Sequence, residues 1–517
     1  MDATTSAKAQ DGIAPWLAVT LALLALLLSS VYYALQKPPH GSKAPPLTKD
    51  ASAVLGALAF FTQRWDFQQK ASRHSPTGNF SFYAGKWPVV SIRGEEARKA
   101  FLESKDLAFS EGYSALLAGS PEVKPDNNVL ASDVTHGNES GFSAYFNKRL
   151  IAMLKGNRLR DGLPQLLQDA RLVLDEMAAT GKNLTDPFDS IYRMVYKFTM
   201  RTVACNEIAD DPVLLAKTLK CFEEVEGATT PLSIMYPWLP QWATVRRTIA
   251  GGRLYVIFKC VVDARKKNGT RQEDALQHLI DSGDSITDIL KFVLGALFAG
   301  QLNSGINAAW ILVYMTSKPY WLDQIRQEAT RVADRYCNDT SLPLRERLMR
   351  VPIEAWENEF PIVDMCLKES MRLQSSGSFF RKNVSDHAVP INKEGTEVIP
   401  PGVFATYALG DIHYNPQVYT NPDEYDPTRF SPERAEDKKQ PYAFVGWGAG
   451  RHPCLGMRFA KLENNIIVAF FLAYFSDIKL ANADGSETTR IPETNRNNHT
   501  AHKPNEHVWL KYKIAAN

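Results

Sequence analysis

The chain has 517 residues, 44% of them hydrophobic and 22% charged, with a formal net charge of +2. That supplies enough apolar material for a large buried core, and so even a balance of charge excludes an obligate nucleic-acid binder. The six cysteines (Cys205, Cys221, Cys260, Cys337, Cys366, Cys454) are scattered, with no CxxC pair and no Cys/His cluster at zinc spacing, which excludes a signalled disulfide framework or zinc site. Five of them are expected to be small buried hydrophobes.

The first element is a run of 25 residues without a charge, from Gly12 to Gln36. As a helix rising ~1.5 Å per residue it exceeds the ~30 Å hydrocarbon core of a bilayer. No basic stretch precedes it and no clear small-residue cleavage site follows, so a membrane anchor is expected rather than a removed leader. Lys37, Lys43 and Lys49 come next. By the positive-inside rule they keep the bulk of the chain in the cytosol, where the seven Asn-x-Ser/Thr sequons (at Asn79, Asn138, Asn183, Asn268, Asn338, Asn383 and Asn498) go unused. Pro38, Pro39, Pro45 and Pro46 then make a stiff extended hinge. Length alone allows about three domains, but no repeat or second linker follows. The expected organisation is a tail and anchor over 1–36, a proline-rich hinge over 37–49 and one catalytic domain over 50–517.

The middle of the chain is helical in pattern. Residues 163–180, 286–317 and 318–336 carry apolar side chains at three-to-four spacing. The second of these is long enough for another membrane span. Its small and polar residues, among them Gly300, Gln301, Asn303 and Ser304, would be expensive to show to lipid, which favours a helix crossing the core beside a flat cofactor. In "PIVDMCLKESMRLQ" (361–374), Glu369 and Arg372 stand three apart on one face, a spacing shared by ordinary surface pairs worth a few tenths of a kcal/mol and by bidentate buried ones. The rigid loop "YNPQVYTNPDEYDPTRF" (414–430) offers Arg429 as a third member.

The last distinctive stretch, "WGAGRHPCLG" (447–456), sets one cysteine among glycines. Gly446, Gly448 and Gly450 permit tight turns that bring backbone N–H groups toward a sulfur, and the apolar helix that follows puts Cys454 at a helix N-terminus, where thiolate is favoured over thiol. A nucleophilic cysteine would need a base, and His452 is poorly placed for that two residues away.

These features together resemble the cytochrome P-450 family of haem-thiolate monooxygenases. The cysteine motif matches at Trp447, Gly450, His452, Cys454 and Gly456, the Glu-x-x-Arg helix at Glu369 and Arg372, the Pro-x-Arg-Phe segment at Pro427, Arg429 and Phe430, and the anchor and hinge at the N-terminus. The resemblance implies a mainly α fold with small β-sheets, preceded by one transmembrane helix. It implies haem b, with Cys454 as axial thiolate whose electron donation assists O–O cleavage. His452 and Arg381 would pair with the haem propionates, Trp447 would pack near the thiolate side, Gly448 and Gly456 would shape the loop, and Glu369, Arg372 and Arg429 would form a buried structural triad. Tyr113 resembles the tyrosine that sterol demethylases place near a propionate. The basic residue usual on an early helix is matched equally by Lys148 and Arg149.

One departure concerns chemistry. Where most members carry an acid and a threonine on the central helix, "AGQLNS" (299–304) has Leu302 and Asn303. The same change resembles the branch holding sterol 7-alpha and 12-alpha hydroxylases and prostacyclin synthase, so Asn303 and Ser304 are the catalytic candidates. The expected reaction is oxidation of an apolar, polycyclic terpenoid, sterol-like or polyketide-derived molecule in secondary metabolism. The resemblance implies an NADPH-cytochrome reductase as electron donor, cytochrome b5 as a second donor, no nucleic acid, and residence in the endoplasmic reticulum membrane. Lys438, Lys439, Arg451, Arg458 and Lys461 cluster around the cysteine loop, either as a basic surface for the donor or as an ordinary solvated charged face. The alternatives are a peroxide isomerase or dehydratase on the same fold, and a non-catalytic haem or steroid carrier.

Overall fold

A computed structural model describes residues 13–49, 56–116, 141–236, 239–499 and 501–515. Its first helix, Ile13–Leu35, exposes Trp16, Leu17, Leu23 and Leu26, and spans about 34 Å at ~1.5 Å per residue. The remainder is mainly helical with small sheets, as expected.

The five-stranded sheet is assembled from distant pieces: β1 (Phe80–Ala84), β2 (Trp87–Ile92), β3 (Leu107–Ala108), β4 (Ser378–Asn383) and β5 (Phe404–Ala408), in the order β1-β2-β5-β4-β3. Strands β2 and β5 run parallel with Val89 opposite Phe404, whereas β4 and β5 run antiparallel with Arg381 opposite Ala405. The free edge at β1 is covered by the proline-rich segment. Ser81 donates its backbone N–H to Pro46 O at 2.8 Å and its hydroxyl to Pro45 O at 2.7 Å, and the Tyr83 hydroxyl donates to Pro38 O at 2.9 Å. The proline-rich hinge is therefore partly stitched to the sheet. Proline lacks a donor, but its carbonyl still accepts.

The helix Ile286–Ser317 begins and ends where the sequence pattern does, capped by the Ser285 hydroxyl. It is long and apolar enough to cross a membrane, yet half of its apolar window lies inside the fold. From Ser304 to Met315 every side chain is buried, and Trp310 donates its indole N–H to His502 O at 3.0 Å. It packs on the helix Pro187–Val203 and on the helix Met457–Tyr474 that follows the cysteine loop. The helix expected over 163–180 starts earlier, at Gly156, with Pro164 inside it. Those expected over 318–336 and 361–374 run Pro319–Tyr336 and Pro361–Gln374. Among the cysteines, Cys260 departs from expectation by being exposed, on the helix Trp242–Asn268.

Candidate active site

The cysteine loop is a two-residue ribbon, Gly448–Ala449 against His452–Pro453. Gly448 and Gly450 have φ of +69° and +62°, and a Cβ at either would collide with a backbone carbonyl, that of His452 or of Leu102. Only glycine fits there. Gly446 needs no such freedom, since its φ is not positive. The Cys454 N–H donates to Trp447 O at 2.7 Å, and the thiol lies within reach of the backbone N–H groups of Gly456 and Met457. Those amides pull the thiol down, but burial is the larger influence and pushes it up. Cys454 is nevertheless exposed.

The central helix also has an exposed turn. Ala299 and Asn303, one turn apart, are exposed, while Ser304 and Gln301 on either side of that face are buried. Asn303 donates its amide N–H to Ala299 O at 3.0 Å, leaving its side-chain oxygen as the acceptor on the open face. Ser304 turns instead toward the cysteine-bearing helix, where it hydrogen-bonds the carboxyl of Glu463. Glu463 is 1% exposed, its Oε2 has no partner, and burial pushes its carboxyl up to about 8. Sequence reasoning missed Glu463. A glutamate amid "LENNII" in an apolar helix was the available signal.

A wall of rings and cations leads away from the loop. His452 stacks on Phe109 (5.3 Å between centroids), Phe109 stacks on Tyr113 (4.3 Å), and Tyr113 meets Phe380 edge-on (5.4 Å). Arg381, 2% exposed on β4, lies 4.9 Å from the Phe109 ring and 5.2 Å from Phe101. Burial and then the charges of Arg381 and Arg451 press His452 down to about 4. Burial raises the Tyr113 phenol, against the opposing pull of Arg381 and Arg64. Trp447 is half-buried and packs against the main core.

Behind the loop the structure brings Glu369, Arg372 and Arg429 together, all within 1% of complete burial. Arg372 grips Glu369 through Nε and Nη2, both at 2.8 Å, and Arg429 Nε donates to the same carboxylate at 3.1 Å. Arg429 Nη1 also donates to the buried Glu436 carboxylate at 3.2 Å, and the other guanidinium N–H groups go to loop carbonyls, among them His413 O and Asn421 O at 2.7 Å, so each charge is compensated. This is no solvated pair. Of the two early-helix cations, Arg149 is held by Asp284 at 2.6 Å and Lys148 is exposed. Ion pairs occupy three of the five loop-surface cations: Arg458 with Glu357 at 2.6 Å, Lys461 with Asp364 at 2.5 Å and Lys439 with Glu436 at 3.4 Å.

A helix-wrapped core, an exposed thiol on a glycine-built loop and a cationic wall beside it are the arrangement of a haem-thiolate protein. The family model for cytochrome P450 matches residues 46–496, and the chain belongs to that family. Relatives include cytochrome P450 monooxygenase AacuE of Aspergillus aculeatus, 35% identical over 88% of this chain and 90% of its own length. Another is cytochrome P450 monooxygenase dmxR5 of Cryptosporiopsis, 33% identical over 91% of this chain and 90% of its own. Obtusifoliol 14-alpha demethylase of Sorghum bicolor is 29% identical over 62% of this chain and 64% of its own, in line with the sterol-demethylase likeness. Among solved structures, retinoic acid bound cyanobacterial CYP120A1 shares the fold, with a TM-score of 0.68 at 20% identity over 91% of this chain and 99% of its own. The protein is therefore a P450 monooxygenase, and haem b on a cysteine thiolate is the family's cofactor. The residues present fit that group: an open thiol with two amide donors, and basic side chains gathered on the wall beside it.

Proposed function

We propose that Cys454 is the axial ligand, and that this chain is a membrane-anchored monooxygenase taking electrons from an NADPH-dependent reductase, with cytochrome b5 as a second donor. One observation carries the assignment: Cys454 is the cysteine whose thiol faces both an open space and two backbone amides. Bound haem supplies dioxygen activation and stabilises the thiolate. The protein's own contribution is placement. Arg381 and His452 hold propionates, Trp447 backs the thiolate side, Gly448 and Gly456 keep the loop close, and the Glu369–Arg372–Arg429 triad fixes the helix and loop beneath. Tyr113 adds a phenol donor. On the opposite face Asn303 presents an acceptor where the family norm has a hydroxyl, and Ser304, through Glu463, fixes that turn against the cysteine-bearing helix. Ile13–Leu35 anchors the protein in the endoplasmic reticulum membrane, the hinge over 37–49 follows, and the catalytic domain over 50–517 is cytosolic. The substrate is an apolar, polycyclic intermediate of secondary metabolism; the likeness to enzymes named obtusifoliol 14-alpha demethylase and sterol 14-demethylase supports the sterol-like part of this class.

The test is direct. Reduced protein with carbon monoxide gives the red-shifted Soret band of a thiolate ligand, and Cys454→Ala abolishes it. Incubated with terpenoid and polyketide scaffolds, the protein needs NADPH and reductase and places one labelled oxygen atom in a hydroxylated product. Asn303→Ala uncouples NADPH use from product. Full-rate conversion of a peroxide substrate without reductant would replace the monooxygenase assignment with the isomerase one.

A further inference from the structure

From Gly305 to Met315 the central helix is buried throughout, and Asn307 is the sole amide side chain in that stretch, 3% exposed. A leucine of similar size would fill the place without needing a partner, whereas a buried carboxamide is costly unless both of its ends are bonded. Both ends are. Nδ2 of Asn307 donates to Asn303 O at 2.8 Å, and Oδ1 accepts from the Ser370 hydroxyl at 3.1 Å. The Asn303 carbonyl can only accept, so the carboxamide nitrogen must face it, which leaves Ser370 as donor to the oxygen. Ser370 is fully buried on the helix Pro361–Gln374, next to Glu369 of the triad.

The same pattern repeats one turn earlier, where Asn303 donates its amide to Ala299 O at 3.0 Å on the exposed side of the helix. Three hydrogen bonds therefore run in series from Ser370 through Asn307 and Asn303 to Ala299, buried at one end and open at the other. The Asn303 carbonyl is pinned, through two side chains, to the helix that carries the triad. Turning it breaks one of these bonds, so the direction of the free Asn303 oxygen is tied to the bond beneath it. We propose that Asn307, held by Ser370, is a positioning residue that sets the direction in which Asn303 presents its acceptor. The proposal rests on the reading of Asn303 given above.

The experiment compares haem-loaded, full-length protein with Asn303→Ala, Asn307→Leu, Ser370→Ala and Ser370→Thr. Two readings are taken: the infrared stretching band of carbon monoxide on the reduced iron, which shifts with the polar groups beside it, and hydrogen exchange over residues 299–307 by mass spectrometry. N307L should exchange these amides roughly fivefold faster, the equivalent of one net hydrogen bond, with the other helices at wild-type rates. It should also move the carbon-monoxide band in the same direction as N303A. S370A gives smaller changes of both kinds, and S370T, which keeps the hydroxyl, reverses them. A loss of stability alone leaves the band in place. Unchanged exchange in N307L overturns the proposal, and so does a wild-type band in N307L when N303A shifts it. If N303A leaves the band unmoved, the reading of Asn303 as facing that ligand falls, and the exchange rates alone decide whether Asn307 holds the turn. Should N307L fail to fold, S370A against S370T decides by the same two readings.

Discussion

At the residue scale, legibility depended on how local the evidence was. The glycines and the cysteine of the loop lie within ten residues, so the steric demands met at Gly448 and Gly450 were written in one short string. Glu463 and the Asn307–Ser370 bond were not legible. Ser304 and Glu463 are far apart in the chain, as are Asn307 and Ser370. Glu463 also carries a pH prediction. An ordinary glutamate in the unfolded chain ionises near its usual value, whereas the native carboxyl stays protonated up to about 8. Between those values the unfolded state binds fewer protons, so this residue makes the protein less stable as pH rises, and the penalty levels off above about 8. Glu463→Gln removes it. The melting temperature of E463Q relative to wild type should therefore climb from pH 5 to pH 8, reflecting on the order of a few kcal/mol. A difference independent of pH would show that the carboxyl is already ionised at neutrality.

At the element scale, helix periodicity located the central helix and the Glu-Arg helix well, because buried faces three to four residues apart leave a direct trace. Composition, rather than length, correctly placed 286–317 inside the protein. What the pattern understated was the helix Gly156–Ala179, which tolerates Pro164 inside it. The Glu-Arg helix ties two loops together through one carboxylate. Glu369→Ala leaves two buried guanidinium groups without their shared anion, at a cost of roughly 3–5 kcal/mol. Little folded protein should accumulate, measured as soluble yield and as the carbon-monoxide band per mole of chain. Wild-type yield would mean that the loop carbonyls, with Glu436 for Arg429, suffice for the two arginines.

At the scale of the whole molecule, the sheet order was beyond reach of the sequence, since it pairs strands at either end of the chain and no local pattern encodes that pairing. The contacts that the proline-rich hinge over 37–49 makes with β1 are of the same kind, and no local pattern shows them. Removing residues 1–36 should free the protein from phospholipid vesicles in a pelleting assay while preserving its thermal melt. Removing residues 1–49 should lower the melting temperature by several degrees and promote aggregation, because it uncovers the edge of β1. Equal melts for the two truncations would show that the seam contributes nothing.

That seam makes the N-terminal segment a bracket rather than a leash. Hydrogen bonds from Ser81 and Tyr83, and the His40 ring packed 4.5 Å from Tyr83, fix where the chain leaves the body. If the first helix is embedded in a bilayer as proposed, the body would swing only about the few residues between Leu35 and Pro38. One side of the sheet would then stay close to the lipid, and a substrate dissolved there would meet the protein from a constant direction.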